Sequence, residues 1–587
     1  MWTAALSGLL GFATGFWCLP SWQVAVETAQ VIAGLVRYPA DNPFYIYHVK
    51  LWTILHQVLA LLLRAGVSEV ALSQALSGVV GMISLQALAL LIYAFSRDAV
   101  YSAAAAFVVF LSGAAQFSGT YPIDLMGTSH TYGAIGLSAM VLTFAAFGAG
   151  AYRTGGLLLG VMPAIHPSLG IWSGVIGLLC LFPDPRRIWR EIRPSVPWFA
   201  AGAAITLASF AAYLWAARGV TPVPREVADR YVDAFISFWD GHRRMPDLQH
   251  PGIYLNNPAV RLTTAAVPMA FVWLRMARTL PRSAELAVRF VLASASLSAG
   301  FVAIGFTTGG WLPRPIQILM PMRLLNIAGM AFVPMMFGVL GAWRRRRAWI
   351  DGAVLALMAA LLLADKSRVL GLPAFARFPR GWSAFTIVLI AMIAFTAYAF
   401  VDLRRRPDGS PRLSGGMPSV LSATRTAAVI ALIAYWIPLS IVSGPRPLIY
   451  RDRTHDPVFG AAAAAGGILA TGDGLHLIQL RTRRPVLIDG GGLDGLMYSV
   501  DGAPAMDRIL RQVYGVDLVH PSSDDGRGTG SMPAGTNLAA WQGFSRARWS
   551  QIRRDFGVTQ VMTPAAWAID LPLVVETQDL RLYEIPQ

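Results

Sequence analysis

WQVAVETAQVIAGLVR (22–37), YPADNPFYIYH (38–48) and KLWTILHQVLALLLR (50–64) follow the first apolar run of the chain, and their reading decides the fold. The two outer pieces have the 3.6-residue periodicity of amphipathic helices. Both are too rich in polar groups for plain membrane spans and suit the plane of a membrane surface, where a helix buries one face only. The middle piece is a Pro-flanked loop that carries Asp41. Together they read as a long external loop, 20–73, with two interfacial helices and an acidic residue between them.

The rest of the chain supplies the membrane around that loop. Of 587 residues, 55% are hydrophobic and only 14% charged, with a mean hydropathy of +0.52. Soluble domains carry roughly 25% charged residues, so the composition excludes a single globular enzyme, a disordered chain and a secreted disulfide scaffold. Apolar runs fit the roughly 30 Å hydrocarbon core near 2–19, 74–95, 99–113, 131–149, 155–166, 168–182, 196–217, 259–277, 286–308, 326–342, 350–364, 383–402 and 427–444. Thirteen spans put the two ends of the chain on opposite sides. The predicted fold class is a polytopic all-α membrane domain, 1–444, with about thirteen transmembrane helices, followed by a C-terminal extracytoplasmic α/β domain, 445–587.

Charge gives the orientation. The formal net charge is +16, from 48 basic and 32 acidic residues, and in a soluble protein that would suggest nucleic acid. From residue 445 onward, however, 14 Arg face 15 Asp plus Glu, so the surplus belongs to the membrane region. Lys and Arg resist translocation, and Arg153, PDPRRIWREIR (183–193), the basic residues of 275–282, RRRR (344–347) and LRRRPDGSPR (403–412) fall on one side when the N-terminus starts inside. The expectation is an inner-membrane protein with a cytoplasmic N-terminus, an uncleaved first span and a periplasmic tail. In that tail GGILATG, RPVLIDG, TQVMTP, LPLVVE and LRLYEI read as strands, and AMDRILRQVYG and WSQIRRDFG as helices stopped by Gly.

Chemistry-bearing side chains gather in the external loops. Asp41 can serve as general base toward an acceptor hydroxyl, or bind a divalent cation; it can equally be the turn or N-cap residue of Asp-Asn-Pro. Asp124, in TYPIDLMG, is a second external carboxylate, a cap or a ligand. Histidines 48, 56, 130, 166, 242, 250 and 520 lie on or near the outer side. His130 and His166 suggest a wet cavity, or else hydrogen bonds between helices, since histidine in a bilayer needs a partner or water. His166-Pro167 joins two short spans, the kind of break that lines a cavity at depth. Arg314 and Arg323 flank an apolar stretch, and Arg368, Arg377 and Arg380 crowd the last external loop. External arginines oppose the positive-inside tendency; they bind either anionic head groups or a phosphate leaving group. No HExxH or CxxC spacing is present, and the Gly-rich pieces of the tail lack a phosphate-loop context.

The sum of these features resembles the GT-C superfamily of polytopic glycosyltransferases that use polyprenyl-phosphate-linked sugars. The layout is similar to oligosaccharyltransferase catalytic subunits and lipid A aminoarabinose transferases, and RRDFGVTQVMTPAAWAIDLPLVVETQDLRLYEIP (553–586) looks like the terminal segment of uncharacterised GT-C-like proteins. The resemblance implies that Asp41 is the first-loop acidic residue, a catalytic base or acceptor-activating group, and that Arg323, with Arg314 and Arg377, binds the donor phosphate. His48, Asp124, His130 and His166 are expected as polar residues of the cavity, and by the resemblance Mg or Mn, if used, sits on Asp41 and Asp124. The D-x-D or E-x-D pair at Asp124 and the W-W-D motif are missing, which argues against glycosylation of Asn sequons. The implied partners are a polyprenyl-phosphate-linked sugar and an extracytoplasmic glycan, lipid or protein acceptor, with inversion at the sugar and no nucleic acid. Two other classes stand beside this one: a transporter or flippase of a lipid-linked or anionic substrate gated at His166-Pro167, and a non-catalytic subunit of polysaccharide assembly.

Overall fold

The structure, a computed structural model, describes all residues except 1, 52, 117–124, 126–127, 183, 240–281, 309–311, 322, 345–348, 367–383, 406–431, 433–435, 438–450, 473, 490–492, 494, 496–498, 522–531 and 533–534. The chain divides into two compact units. The first comprises Met1–Pro20, Ala75–Thr206 and Met245–Arg446, and the second Ser21–Gln74, Leu207–Arg244 and Pro447–Gln587.

The first unit is helical. Helices occupy Trp2–Ala13, Glu69–Ser96, Ala99–Leu111, Thr131–Ala149, Tyr152–Ile165, Pro167–Leu179, Val196–Ala217, Ala284–Thr308, Arg323–Arg344, Trp349–Lys366 and Ala384–Arg405, each at an expected span. The expected spans 259–277 and 427–444 lie outside, or almost wholly outside, the described residues. Four helices among the described residues are long and apolar enough to cross a membrane: Glu69–Ser96, Thr131–Ala149, Pro185–Ala217 and Ala284–Thr307. They make this an integral membrane protein. Trp2, Leu9 and Phe182 expose their large apolar side chains, as residues bathed in lipid do.

Local chemistry sets the helix ends. Asp98 accepts from Tyr101 N at 3.1 Å to cap Ala99–Leu111, and Gly150, at φ 86°, stops Thr131–Ala149. Pro167 cannot continue the preceding helix's hydrogen bonding, so His166 is extended at φ −152° and ψ 104° between Tyr152–Ile165 and Pro167–Leu179. Small residues let backbones approach in this unit: a Cβ at Gly160 would stand 2.7 Å from Ala203 N, and one at Gly202 2.9 Å from Val161 N. Arg187, read from sequence as part of an orientation signal, also binds helices together, and Arg289, inside an expected span, joins it. Arg187 reaches Glu285 at 2.7 Å, and Arg289 holds the same carboxylate at 2.6 Å.

The second unit is built around a four-stranded sheet of β1 (Ile468–Thr471), β2 (Val558–Pro564), β3 (Leu573–Glu576) and β4 (Leu580–Glu584), in the order β1-β2-β4-β3. β1 pairs parallel with β2, and β4 runs antiparallel to both its neighbours. The expected strand RPVLIDG makes a single bridge, Val486 to Leu469. Pro485 has no N–H to donate, and Arg483 takes a left-handed φ of 56°, so a ladder cannot extend in that direction. Helices Ala503–Ile509 and Arg546–Phe556 cover the sheet, and the π turn after the first ends at Gly515. Their core holds Tyr514, Trp541, Trp549 and Trp567, joined by Phe44 from the first external segment and by Phe235 and Trp239 from 207–244. Trp239 Nε1 donates to Leu518 O at 2.9 Å, and Tyr231 OH to Asp507 at 3.1 Å. The stretch expected as an external loop is thus part of the same compact unit as the tail.

Candidate functional site

In the first unit the chemistry centres on Arg323. It is the first residue of an apolar helix, after a turn in which Met320 adopts a left-handed φ of 50° and Trp172 Nε1 grips Leu319 O at 2.8 Å. Non-glycine residues enter that region only at a cost in strain, so the turn is held open by its surroundings. The guanidinium is buried, and Arg323 Nη1 lies 3.0 Å from Nε2 of His166, itself buried. Tyr132 stacks on the imidazole at 4.2 Å and 17°. Gly136 makes room for the ring, since a Cβ there would stand 2.5 Å from His166 Cδ2. A helix N-terminus with a buried guanidinium is suited to an anion, which both the dipole and the charge attract.

The other expected residues of this unit fare differently. His130 is exposed just before Thr131–Ala149, with its backbone N–H on Thr128 Oγ1 at 3.1 Å. Arg314 opens the short helix Arg314–Ile318, and its side chain lies outside what is described. Asp124 and Arg377 lie outside the described residues.

In the second unit Asp41 is exposed on the wall of a cleft of about 470 Å³, which Arg508, Asp555 and Phe556 also line. The cap of helix Pro43–Lys50 is Asn42, whose Oδ1 accepts from Phe44 N at 2.8 Å. The carboxylate of Asp41 is therefore not used as a cap. Arg508 lies 4.9 Å above the Phe556 ring, so the cleft offers an acidic and a basic edge around an aromatic floor. Such a surface can accept hydrogen bonds from hydroxyl groups and pack against the apolar face of a small polyol.

A third cluster, of which only His48 was singled out from sequence, lies within the second unit around Glu27. This residue is buried in helix Val24–Ala33, and its Oε1 takes no hydrogen bond among the described residues. Gln479 Nε2 donates to Glu27 O at 2.9 Å, Tyr38 OH donates to Gln479 Oε1 at 2.6 Å, and Thr28 Oγ1 lies 3.0 Å from Nδ1 of the buried His48. Nearby, His476 Nδ1 meets Asp489 at 2.8 Å. Burial first, then Asp489, push the Glu27 carboxyl up to about 8, against the opposing pull of His476 and Arg481. Burial works against a charged His476, but Asp489 outweighs it and raises the imidazole above its ordinary value. The signal in the sequence was a lone Glu in an apolar segment, followed closely by Thr28 and Gln30.

These shifts set a pH dependence. Folded Glu27 keeps its proton to about pH 8 against an ordinary value of 4.5, so the folded chain binds more protons across that window and its stability falls as pH rises through it. His476 acts in the same direction, its contribution being complete below its ordinary value of 6.5 and lost as pH climbs through its raised one. Glu27→Gln is expected to lose less thermal stability than wild type between pH 5 and pH 8, by about the share that Glu27 carries. Parallel melting profiles for the two proteins over that range would contradict the assignment.

Among the described residues no group of three or more His, Cys, Asp or Glu side chains could hold a metal ion, and Asp124, one of the two expected ligands, lies outside them. No protein-family model and no curated protein matches the sequence. Two crystal structures of ArnT from Cupriavidus metallidurans are similar in outline. The one bound to undecaprenyl phosphate is 14% identical with a TM-score of 0.40, covering 99% of this chain and 97% of that chain. The apo form is 13% identical with a TM-score of 0.41, covering 99% of this chain and 96% of that one. At this level of identity and superposition, function has to be argued from the chain's own residues.

Proposed function

We propose that the chain is a membrane glycosyltransferase that moves a sugar from a polyprenyl-phosphate donor to an extracytoplasmic acceptor, with inversion. The observation that carries this reading is the buried guanidinium of Arg323, held by an imidazole at the start of an apolar helix. Ionisable groups at such positions in membrane proteins serve function, and a lipid phosphate supplies both the anion and the apolar tail that the surroundings suit. Asp41, in its own cleft, accepts the proton of the acceptor hydroxyl. The hydroxyl oxygen bonds to the anomeric carbon, the bond from that carbon to the phosphate oxygen breaks, and polyprenyl phosphate leaves with its charge met by Arg323. The tail and the first loop are taken to face the periplasm, and the N-terminus the cytoplasm, from the distribution of arginines.

The test uses the full chain in lipid nanodiscs with undecaprenyl phosphate as probe. Arg323→Gln is expected to weaken binding by about 10- to 100-fold, the worth of a charge-assisted hydrogen bond. Equal binding by wild type and variant would remove Arg323 from the site. A protein that carries a labelled polyprenyl-phosphate sugar across a sealed vesicle without releasing the sugar would be a transporter, and the glycosyltransferase reading would fail.

A further inference from the structure

We infer that His166 is a positioning residue for Arg323, a neutral acceptor that fixes the direction in which the guanidinium meets its anion. The inference rests on the reading of Arg323 as a phosphate ligand and adds to it a second residue with a defined protonation state.

The chemistry follows from what each group can offer. A guanidinium has five N–H donors and no acceptor, so a 3.0 Å contact between Arg323 Nη1 and His166 Nε2 requires a lone pair on Nε2. The ring is then neutral and its proton sits on Nδ1. Ser168 Oγ, 3.2 Å from Nδ1, can accept from that N–H; Leu169 N, which approaches the same atom at 3.5 Å, is left without it as an acceptor in this tautomer. The arginine contact thus specifies the tautomer, and Ser168 Oγ is placed to accept from it. The ring itself is held by the Tyr132 stack, by the space left at Gly136 and by the extended backbone that Pro167 imposes. On the other side of the contact, the Met320 turn and its Trp172 anchor fix the backbone of Arg323. Arginine loses much rotamer freedom when it binds. An acceptor that orders the side chain beforehand lowers that cost, and because the imidazole is neutral the His166–Arg323 pair keeps one positive charge.

His166 also sits at the N-cap of Pro167–Leu179, so a purely structural role has to be separated from positioning. Two variants do this. In His166→Gln the side-chain oxygen reaches the place of Nε2 and can accept from Arg323. In His166→Asn it reaches only the place of Nδ1, where it can accept from Leu169 N as a cap, and it loses the arginine. With undecaprenyl phosphate and the full chain in nanodiscs, the Asn variant is expected to bind about tenfold more weakly than wild type, and the Gln variant within about threefold of it. Wild-type binding by the Asn variant, or equal loss in both variants with unchanged melting, would overturn the inference. A second readout does not depend on the probe. Histidine-selective 15N spectra should contain one ring with Nε2 unprotonated and Nδ1 protonated that disappears in the Asn variant. An Nε2–H tautomer or a doubly protonated ring at that position overturns the inference whatever the lipid does. If the tautomer is as expected but wild type and Arg323→Gln bind the lipid equally, the phosphate reading fails instead.

Discussion

Exchange of Asp41 for Asn is expected to lower sugar transfer by about a hundredfold to ten-thousandfold, the usual worth of a general base. The structure makes this a clean experiment. Asp41 is exposed in its cleft, and the cap of the following helix comes from Asn42, with Pro43 at the first helical position. Removing the Asp41 charge therefore leaves the local fold with all its hydrogen bonds, whereas an exchange at Asn42 would attack the cap itself. The measurement is transfer from a polyprenyl-phosphate-linked sugar by the purified chain, together with its melting temperature. A variant that melts like wild type and transfers nothing supports the assignment; one that keeps full activity removes Asp41 from the reaction.

The largest effect on stability is expected at Arg484. Its buried guanidinium donates to Gly467 O at 3.0 Å, Ala462 O at 3.1 Å and Gly466 O at 2.7 Å, and also to the side chains of Gln560 and Thr559 on β2. It thus ties the end of helix Pro457–Ala464, the turn before β1 and one edge of β2 into one knot. Burial lowers its pKa to about 10, which leaves it charged at neutral pH. Arg484→Leu fills much of the volume but takes the guanidinium donor from the carbonyls of Gly467 and Ala462, while Gly466 O keeps Thr559 Oγ1, and should cost about 2 to 5 kcal/mol. Limited proteolysis of the full chain should then cut within 447–587 at temperatures where wild type resists. Unchanged resistance and an unchanged melting temperature would mean that water satisfies those carbonyls.

What was legible in the sequence follows physical range. Helices show in the apolar runs because a bilayer-crossing helix is a local pattern, and the Gly stops at 515 and 557 were readable because left-handed backbone favours glycine. Arg323 and His166 each stood out as polar groups in apolar surroundings, but they are 157 residues apart and only folding reveals their contact. Arg484 looked like one basic residue in RTRRPVLIDG, and its role depends on carbonyl groups of Ala462, Gly466 and Gly467, some twenty residues earlier. Glu27 was passed over because an amphipathic segment tolerates a polar residue on its solvent side; here that residue points inward. The strand expected at 484–490 failed on Pro485, whose missing donor was visible but whose place against β1 was not.

The composition of the second unit from three distant segments also imposes a schedule on the ribosome. Phe44 and the helices near it are made early, the segment 207–244 follows, and their partners in the tail begin only at Pro447. At about 5 to 20 residues per second, roughly 20 to 75 s pass between residue 74 and residue 447. Throughout that interval Glu27, Gln30 and Tyr38 are without the tail groups that later receive them. β4, synthesised after the other three strands, lies between β2 and β3, so the sheet closes only when it arrives. A nascent chain stalled before that point would leave the facing edges of β2 and β3 unpaired, a surface that quality control can recognise.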